Sequence, residues 1–107
     1  MKYIETKYEF GVSDPGLPKE GEIQVFYEGD KPLMVDFLCP CGCGHACPTH
    51  LKEEGEKKPN DRHWVFSRGP NGGVTLTPSI RWTGGCLAHF NITDGEAIIH
   101  PDSGKKV

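Results

Sequence analysis

Four of the chain's five cysteines stand within thirteen residues, in the stretch LCPCGCGHACPTH at 38–50. Three of them, Cys39, Cys41 and Cys43, are separated only by proline and glycine. Free cysteines usually disappear singly into protein cores, so this density requires another explanation. Thiolate and imidazole are the ligands that zinc prefers, and short loops usually supply them. The stretch therefore predicts one loop of a zinc site.

The second loop of such a site is found in GGCLAHF at 84–90, where Cys86 and His89 have a C-x-x-H spacing. Two ligand sets remain open. In the first, Cys86 joins the three cysteines of the earlier stretch, and His89 stays free for chemistry. In the second, Cys86 and His89 join two of those three cysteines, and the imidazole is consumed as a ligand.

A Rieske-like iron–sulfur centre is an alternative, because it also takes ligands from two cysteine- and histidine-bearing loops. Such a centre needs two histidines on one iron, and the spacing of His45 from Cys43 fits that requirement. The four thiols available favour a closed zinc site over this alternative.

Ser79, in LTPSIRW, is the hydroxyl that could join this chemistry. A lone serine after a proline is usually a turn hydroxyl, and it becomes a candidate nucleophile only beside a base. His89 is the histidine whose surroundings the metal loop would fix. Asp94 and Asp36 are both candidates to orient His89, and the sequence does not choose between them.

Other polar residues of the cysteine-rich stretch are expected to lie at the surface or beside the ligands, and they include His45, Cys47 and His50. His63 and His100 are interpreted as ordinary residues at strand ends.

Period-two patterns predict strands in IETKYEF, EIQVFYEG and PLMVDFL, the last of which leads directly into the cysteine-rich loop. Trp64–Ser67 and Val74–Leu76 flank an Asn-Gly turn, and LAHFNI and EAIIH flank an Asp-Gly turn, which predicts two hairpins. Residues 51–62 are nearly all charged and are predicted to form an exposed loop. We therefore predict a mainly β protein, a small antiparallel domain with a zinc site formed by two loops.

The chain length of 107 residues predicts a single domain over 1–107. Only 36% of the residues are hydrophobic, and 14 glycines and 9 prolines point to many turns around a thin core. A structural zinc site can contribute roughly 10 kcal/mol or more to folding, so we expect the metal to stabilise this domain.

Charge and hydropathy exclude several classes of partner. A net charge of -3 argues against binding to nucleic acid, because such domains usually have a basic excess. The chain has neither a long apolar run for a membrane helix nor the apolar region of a signal peptide. We expect a cytoplasmic protein without a membrane partner, in whose reducing surroundings clustered cysteines bind metal or act in catalysis.

Three motifs in order, LCPCGCG (38–44), LTPSI (76–80) and CLAHF (86–90), followed by a glycine-turn hairpin, resemble the BubE family of short phage and bacterial proteins. Some members of this family are carried in operons for ubiquitin-like conjugation. The similarity runs over most of the chain from about Ile23 onward.

The resemblance implies a peptidase that trims or removes a ubiquitin-like modifier, which would be the protein partner or substrate. It also implies roles for particular residues. The family's motif cysteines correspond to Cys39, Cys41, Cys43 and Cys86. Its paired polar positions correspond to Ser79 and His89.

Three hypotheses follow. The first is a closed structural zinc site in a non-catalytic domain, phage- or defence-related, that binds another protein. The second is a hydrolase in which His89 takes the proton of Ser79. The third is a catalytic zinc with three protein ligands and an open water position. The zinc-stabilised domain ranks first as biochemistry, and the peptidase is the most specific hypothesis about purpose.

Overall fold

Eight β-strands form the protein in a computed structural model that describes residues 1–12, 14–57, 62–82 and 85–104. The strands are β1 (Ile4–Glu9), β2 (Glu22–Glu28), β3 (Lys31–Phe37), β4 (Thr49–Lys52), β5 (Trp64–Arg68), β6 (Val74–Arg81), β7 (His89–Thr93) and β8 (Glu96–Ile99). Each strand pairs with the next along the chain, so the sheet order is the sequence order. Within the described ranges, no helix is long and apolar enough to cross a membrane.

The sheet is mixed, which corrects the prediction of an antiparallel domain. β1 pairs with β2 in parallel, and β4 pairs with β5 in parallel, whereas the other neighbouring strands are antiparallel. Parallel neighbours require a connection that returns the chain to its starting end. Residues 10–21 and residues 53–63 are the two connections, and neither carries a local sequence signal for the direction of the strand that follows.

The sheet curls until its first residues reach its last strand. The Tyr3 amide donates to the carbonyl of Gly95 over 2.7 Å, and the Ala97 amide donates to the carbonyl of Met1 over 2.8 Å. Lys2 and Glu96 form an antiparallel bridge between these two bonds. The curvature turns one face of the sheet inward, where it encloses the core.

The enclosed face carries the alternating apolar residues that the sequence predicts for β2 and β3. Ile23 and Val25 are buried on β2, and Val35 and Phe37 are buried on β3. The Phe37 ring meets the ring of Phe90 from β7 edge to face, with centroids 6.1 Å apart. β1 differs, because the side chain of Ile4 is 78% exposed. No residue of β1 is buried, so β1 only covers the edge of the core, whereas Tyr3, just before it, is buried in the core.

Both predicted hairpins are present, as β5–β6 and β7–β8. β6 continues to Arg81, well beyond the predicted end at Leu76, so Ser79 lies on a strand. β4 was not predicted. Leu51 and Lys52, which were expected to begin the charged loop, belong to β4, and Leu51 is buried. Residues 53–57 follow as a loop, and 58–61 lie outside the described residues.

Candidate active site and metal centre

The first cysteine loop leaves the end of β3 and folds back on itself at once. Leu38 and Ala46 form an isolated bridge at its base. Inside the bridge, the Cys39 amide donates to the carbonyl of His45 over 2.8 Å, and the Gly42 amide donates to the carbonyl of Cys39 over 3.2 Å. Gly42 has φ of +88°, a conformation that glycine adopts without steric cost. The turn thus brings three cysteines to one side of a short loop.

The second loop connects β6 to β7 and supplies Cys86. Its base is closed by a 2.9 Å hydrogen bond from the Trp82 amide to the carbonyl of Ala88. Gly85 lies in the same loop with φ of +60°, and a side chain there would meet the His45 ring of the first loop. The two loops are therefore in close contact, as the two-loop prediction requires.

Four thiols meet where the loops touch. The sulfur atoms of the group all lie within 4.8 Å of one another, and its members are Cys39, Cys41, Cys43 and Cys86. The Sγ atom of Cys39 is 3.3 Å from that of Cys41 and 3.7 Å from that of Cys86. A tetrahedral zinc with Zn–S bonds of about 2.3 Å separates its sulfur ligands by about 3.8 Å. The donor set therefore fits a four-coordinate metal ion, and it corresponds to the first of the two predicted ligand sets.

The thiols differ in how readily they ionise without a metal. Burial raises the pKa of Cys39, and removal from water also raises the pKa of Cys41. Cys43 is exposed, and a hydrogen bond from the His45 amide lowers its pKa to about 7. Four adjacent thiolates repel one another unless a cation neutralises them, so a bound dication would hold all four in the ionised form.

Cys47 lies outside the thiol group. It is fully buried in the core, and burial raises its pKa to about 12. His45 and His50, expected to lie at the surface or beside the ligands, are both exposed. Cys47 thus packs beneath the metal loop as a small apolar side chain.

Ser79 and His89 face each other across β6 and β7. The strand register places Ile80 opposite Phe90 and Arg81 opposite His89, and the pairing is irregular between Leu76 and Ile80. Such irregularities redirect side chains. Here the Oγ atom of Ser79 lies 3.1 Å from the Nε2 atom of His89. A hydroxyl and an imidazole at this distance are within hydrogen-bonding reach, which is what a nucleophile and its general base require.

Asp102 supplies a third member that the sequence did not suggest. Its Oδ1 atom lies 2.7 Å from Nδ1 of His89, and its Oδ2 atom accepts a hydrogen bond from Nη2 of Arg81. The hydrogen bond to His89 and the Arg81 guanidinium lower the pKa of Asp102 to about 2. An ionised Asp102 favours the proton on Nδ1, which leaves the Nε2 lone pair directed at the Ser79 hydroxyl.

Arg81 also approaches the ring itself, with Nη2 2.8 Å from Nδ1 of His89. When His89 Nδ1 donates a hydrogen bond to Asp102, Nδ1 has no lone pair left to accept a hydrogen bond from Arg81. The Arg81 guanidinium then pairs only with the Asp102 carboxylate, which it holds in place and keeps charged.

Two hydrogen bonds to the backbone at the start of β7 and just before it hold the segment that follows β8. Ser103 Oγ accepts a 3.0 Å hydrogen bond from the His89 amide, and the Gly104 amide donates to the carbonyl of Leu87 over 2.8 Å. The sequence Pro-Asp-Ser-Gly at 101–104 is rich in turn residues, and that signal could have predicted a turn returning Asp102 to the sheet.

The two aspartates that the sequence offered as partners of His89 lie elsewhere. Asp94 accepts hydrogen bonds from the Gly73 amide over 2.8 Å and from the Asn71 side chain over 2.8 Å, so it fastens one hairpin turn to the other. Asp36 lies on β3 opposite Gln24. Both suggestions were wrong, because Asp94 lies in the turn between β7 and β8, where it binds the other hairpin turn, and Asp36 lies on β3.

A groove made of two adjoining cavities lies beside the end of β6. One part, of about 310 Å³, is lined by Trp64, Ile80 and Arg81 among others. An adjoining part, of about 540 Å³, reaches Cys86, and both parts share Trp82. The indole N–H of Trp64 donates to the carbonyl of Ser79 over 3.4 Å. The groove therefore begins beside the strand that carries the serine.

Residues 13–100 match the model of a protein family described as bacterial ubiquitination-like system serine protease (BubE). This match covers most of the chain, and the chain belongs to that family. The four clustered cysteines, Ser79 and His89 all fall within the matched range, whereas Asp102 lies just beyond it. No curated protein and no solved structure gives a significant match.

Proposed function

We propose that this protein is a serine peptidase that trims or removes a ubiquitin-like modifier in a bacterial conjugation system. The observation that carries the proposal is the chain of hydrogen bonds from Ser79 through His89 to Asp102, with heavy-atom distances of 3.1 and 2.7 Å. The family description, which names a serine protease of a ubiquitination-like system, supports the same reaction class and a protein substrate.

The three side chains have defined roles in this reaction. Nε2 of His89 takes the hydroxyl proton as Ser79 Oγ attacks the carbonyl carbon of the scissile bond. The imidazolium then gives that proton to the departing group, and an acyl-enzyme on Ser79 remains. His89 next activates a water molecule, which releases the acyl group and restores the serine. Asp102 keeps the imidazole in the required tautomer and stabilises its positive charge.

The location of the site favours a flexible segment of another protein as substrate. Ser79 is half-buried on the outer face of the sheet, and the side chain of His89 is 16% exposed. A compact domain cannot bring an internal peptide bond onto such a surface, whereas an extended chain terminus can. The tail of a small modifier, or its junction with a target, is a segment of this kind.

We infer that the metal is zinc and that its role is structural. Four thiolates form a closed tetrahedral set, which leaves no coordination position for a reacting water. When bound, zinc would tie the two cysteine loops together. This interpretation disfavours the catalytic-zinc hypothesis, and it leaves His89 free to act as a base. We expect the protein to work in the cytoplasm, where thiols stay reduced.

The test is cleavage of a bacterial ubiquitin-like protein that carries a C-terminal extension, followed by intact-mass spectrometry. We expect the parent protein to release the extension and Ser79→Ala to be at least about 1,000-fold slower, with unchanged metal content and melting temperature. Ser67→Ala, a change of an exposed serine on β5, is the matched control and should keep full activity. Equal cleavage by Ser79→Ala would contradict the proposal. A parent protein that binds zinc and cleaves no such substrate would instead support a non-catalytic interaction domain.

A further inference from the structure

His100 stacks on the imidazole that we propose as the general base. The ring centroids of His89 and His100 are 4.0 Å apart, and the ring planes differ by 17°. The backbone fixes this arrangement, because the His100 amide donates to the carbonyl of His89 over 2.9 Å. The two histidines are thus held side by side where β8 ends and β7 begins.

Asn91 fixes the position of the His100 ring. It lies two residues after His89 on β7, so both side chains project from the same face of the sheet. Its Oδ1 atom lies 2.5 Å from Nε2 of His100. An amide oxygen can only accept, so His100 carries its proton on Nε2 in this contact. The Asn91 amide therefore anchors the His100 ring over His89.

The in-plane partners of His89 leave one motion unrestrained. Ser79 and Asp102 hold opposite ring nitrogens, yet hydrogen bonds at the ring edge resist tilting of the plane only weakly. A flat ring packed at 4.0 Å opposes that tilt across the whole face. Proton transfer depends steeply on alignment, and small misplacements of catalytic groups cost large factors in rate.

We infer that His100 is a positioning residue for His89, which acts by stacking and touches neither the serine nor the substrate. This inference rests on the proposed peptidase function for its kinetic consequence, and it assigns His100 a role beyond that of a strand-end residue. The flat ring is the feature that matters, so another aromatic side chain should replace it.

The test compares His100→Ala with His100→Phe in the full-length, metal-loaded protein. We expect His100→Ala to lower kcat about 10- to 100-fold with KM changed less than about threefold, because the defect lies in alignment and not in substrate binding. His100→Phe keeps a ring that can stack and should restore most of kcat. Ile98→Ala, a change of a half-exposed neighbour on β8, controls for loosening of the hairpin and should leave kcat unchanged.

A readout that needs no substrate separates this inference from the proposed function. The ring-nitrogen chemical shifts of ¹⁵N-labelled His89 report both its tautomer and the hydrogen bonds that its nitrogens make. We expect Nδ1 to stay protonated in all three proteins, because Asp102 is unchanged. Both ring-nitrogen shifts of His100→Ala should move from the parent values, because a tilted ring lengthens its hydrogen bonds, whereas those of His100→Phe should stay near the parent values. Unchanged shifts in His100→Ala would overturn the inference even if the protein is an active peptidase. Equal losses of kcat in His100→Ala and His100→Phe would also overturn it. If the parent protein cleaves nothing, the peptidase proposal fails, and the nitrogen shifts still decide the role of His100.

Discussion

The thiol group and the serine–histidine pair are neighbours at the connection between β6 and β7, and they are positioned by different means. Two of the four clustered cysteines are exposed, and all four stand on loops. Ser79 and His89 stand instead on neighbouring strands, whose pairing sets their separation. The geometry of such loops depends on the metal that they bind, whereas the geometry of strands is set by their backbone pairing.

The connection between β6 and β7 joins the two regions. Cys86 precedes His89 by only three residues. The hydrogen bond between Trp82 and Ala88 closes the loop that contains Cys86. A metal ion on Cys86 would therefore stabilise the strand that carries the base, without taking part in the reaction. Changes in the hydrogen-bonded triad should remove activity and leave stability unchanged. Changes in the thiol group should lower stability before they lower activity.

Asp102→Asn should give the largest loss of activity among variants that keep both the serine and the base. An asparagine cannot hold the imidazole in the required tautomer, so we expect kcat/KM to fall between about 100- and 10,000-fold, with melting temperature nearly unchanged. Because the pKa of Asp102 is lowered to about 2, its carboxyl group is ionised at neutral pH. Its contribution to stability is small, because the Asp102 side chain is half exposed. That contribution is present above the pKa of an unfolded aspartate, near 4, and is lost as pH falls toward 2.

Asp94→Asn is the control for Asp102→Asn, because Asp94 fastens the hairpin turns and does not contact His89. It should keep kcat/KM within about twofold of the parent and lower only the melting temperature. Equal losses of activity in Asp94→Asn and Asp102→Asn would contradict a specific role for Asp102 beside His89.

Cys86→Ser should give the largest effect on stability. Loss of one thiolate leaves three thiols, all on one loop, so we expect bound zinc to be lost and the free energy of unfolding to fall by several kcal/mol. Elemental analysis and thermal melting measure both quantities. A zinc content near one per chain, with an unchanged melting temperature, would show that Cys86 is no ligand.

Cys47→Ser should have a smaller effect of a different kind. The side chain is fully buried outside the thiol group, so a hydroxyl there would be desolvated and should cost about 1–3 kcal/mol of stability. Zinc content should stay at that of the parent protein. Loss of zinc from this variant would instead assign Cys47 to the metal centre.

Alkylation at pH 8 should distinguish the cysteines without any substitution. In metal-stripped protein, Cys43 is exposed with a pKa of about 7 and should react first, whereas Cys47, with a pKa of about 12, should react only after unfolding. Added zinc should protect Cys43. Peptide mass mapping over time gives the order, and early labelling of Cys47 would contradict its buried position.

The sequence predicts the thiol group better than the serine–histidine pair, because the cysteine pattern is local in sequence and the pair depends on contacts between distant residues. The cysteine spacings are local, so both metal loops could be found from the residues alone. The link between Ser79 and His89 needed the family resemblance as well, because it depends on the register of two strands. Asp102 reaches His89 only after the chain turns back beyond β8, and no spacing in the sequence encodes that contact.

The fold shows the same division between local and long-range information. Alternating apolar residues and Asp-Gly or Asn-Gly turns predicted most strands and both hairpins. β4 was missed because Thr-His-Leu-Lys at 49–52 is short and has a single apolar residue, and a charged segment follows it. The parallel pairings were missed because the direction of a strand after a long connection depends on tertiary packing.

Covalent labelling with a fluorophosphonate tests the role of Ser79 most directly, because this reagent reacts with a serine that a neighbouring base has activated. Intact-mass analysis and peptide mapping should find one phosphonyl group per chain, on Ser79. The label should be absent from His89→Ala at equal zinc content and slow to form in Asp102→Asn. A parent protein that stays unlabelled, or that is labelled at Ser79 equally well without His89, would contradict a serine peptidase mechanism.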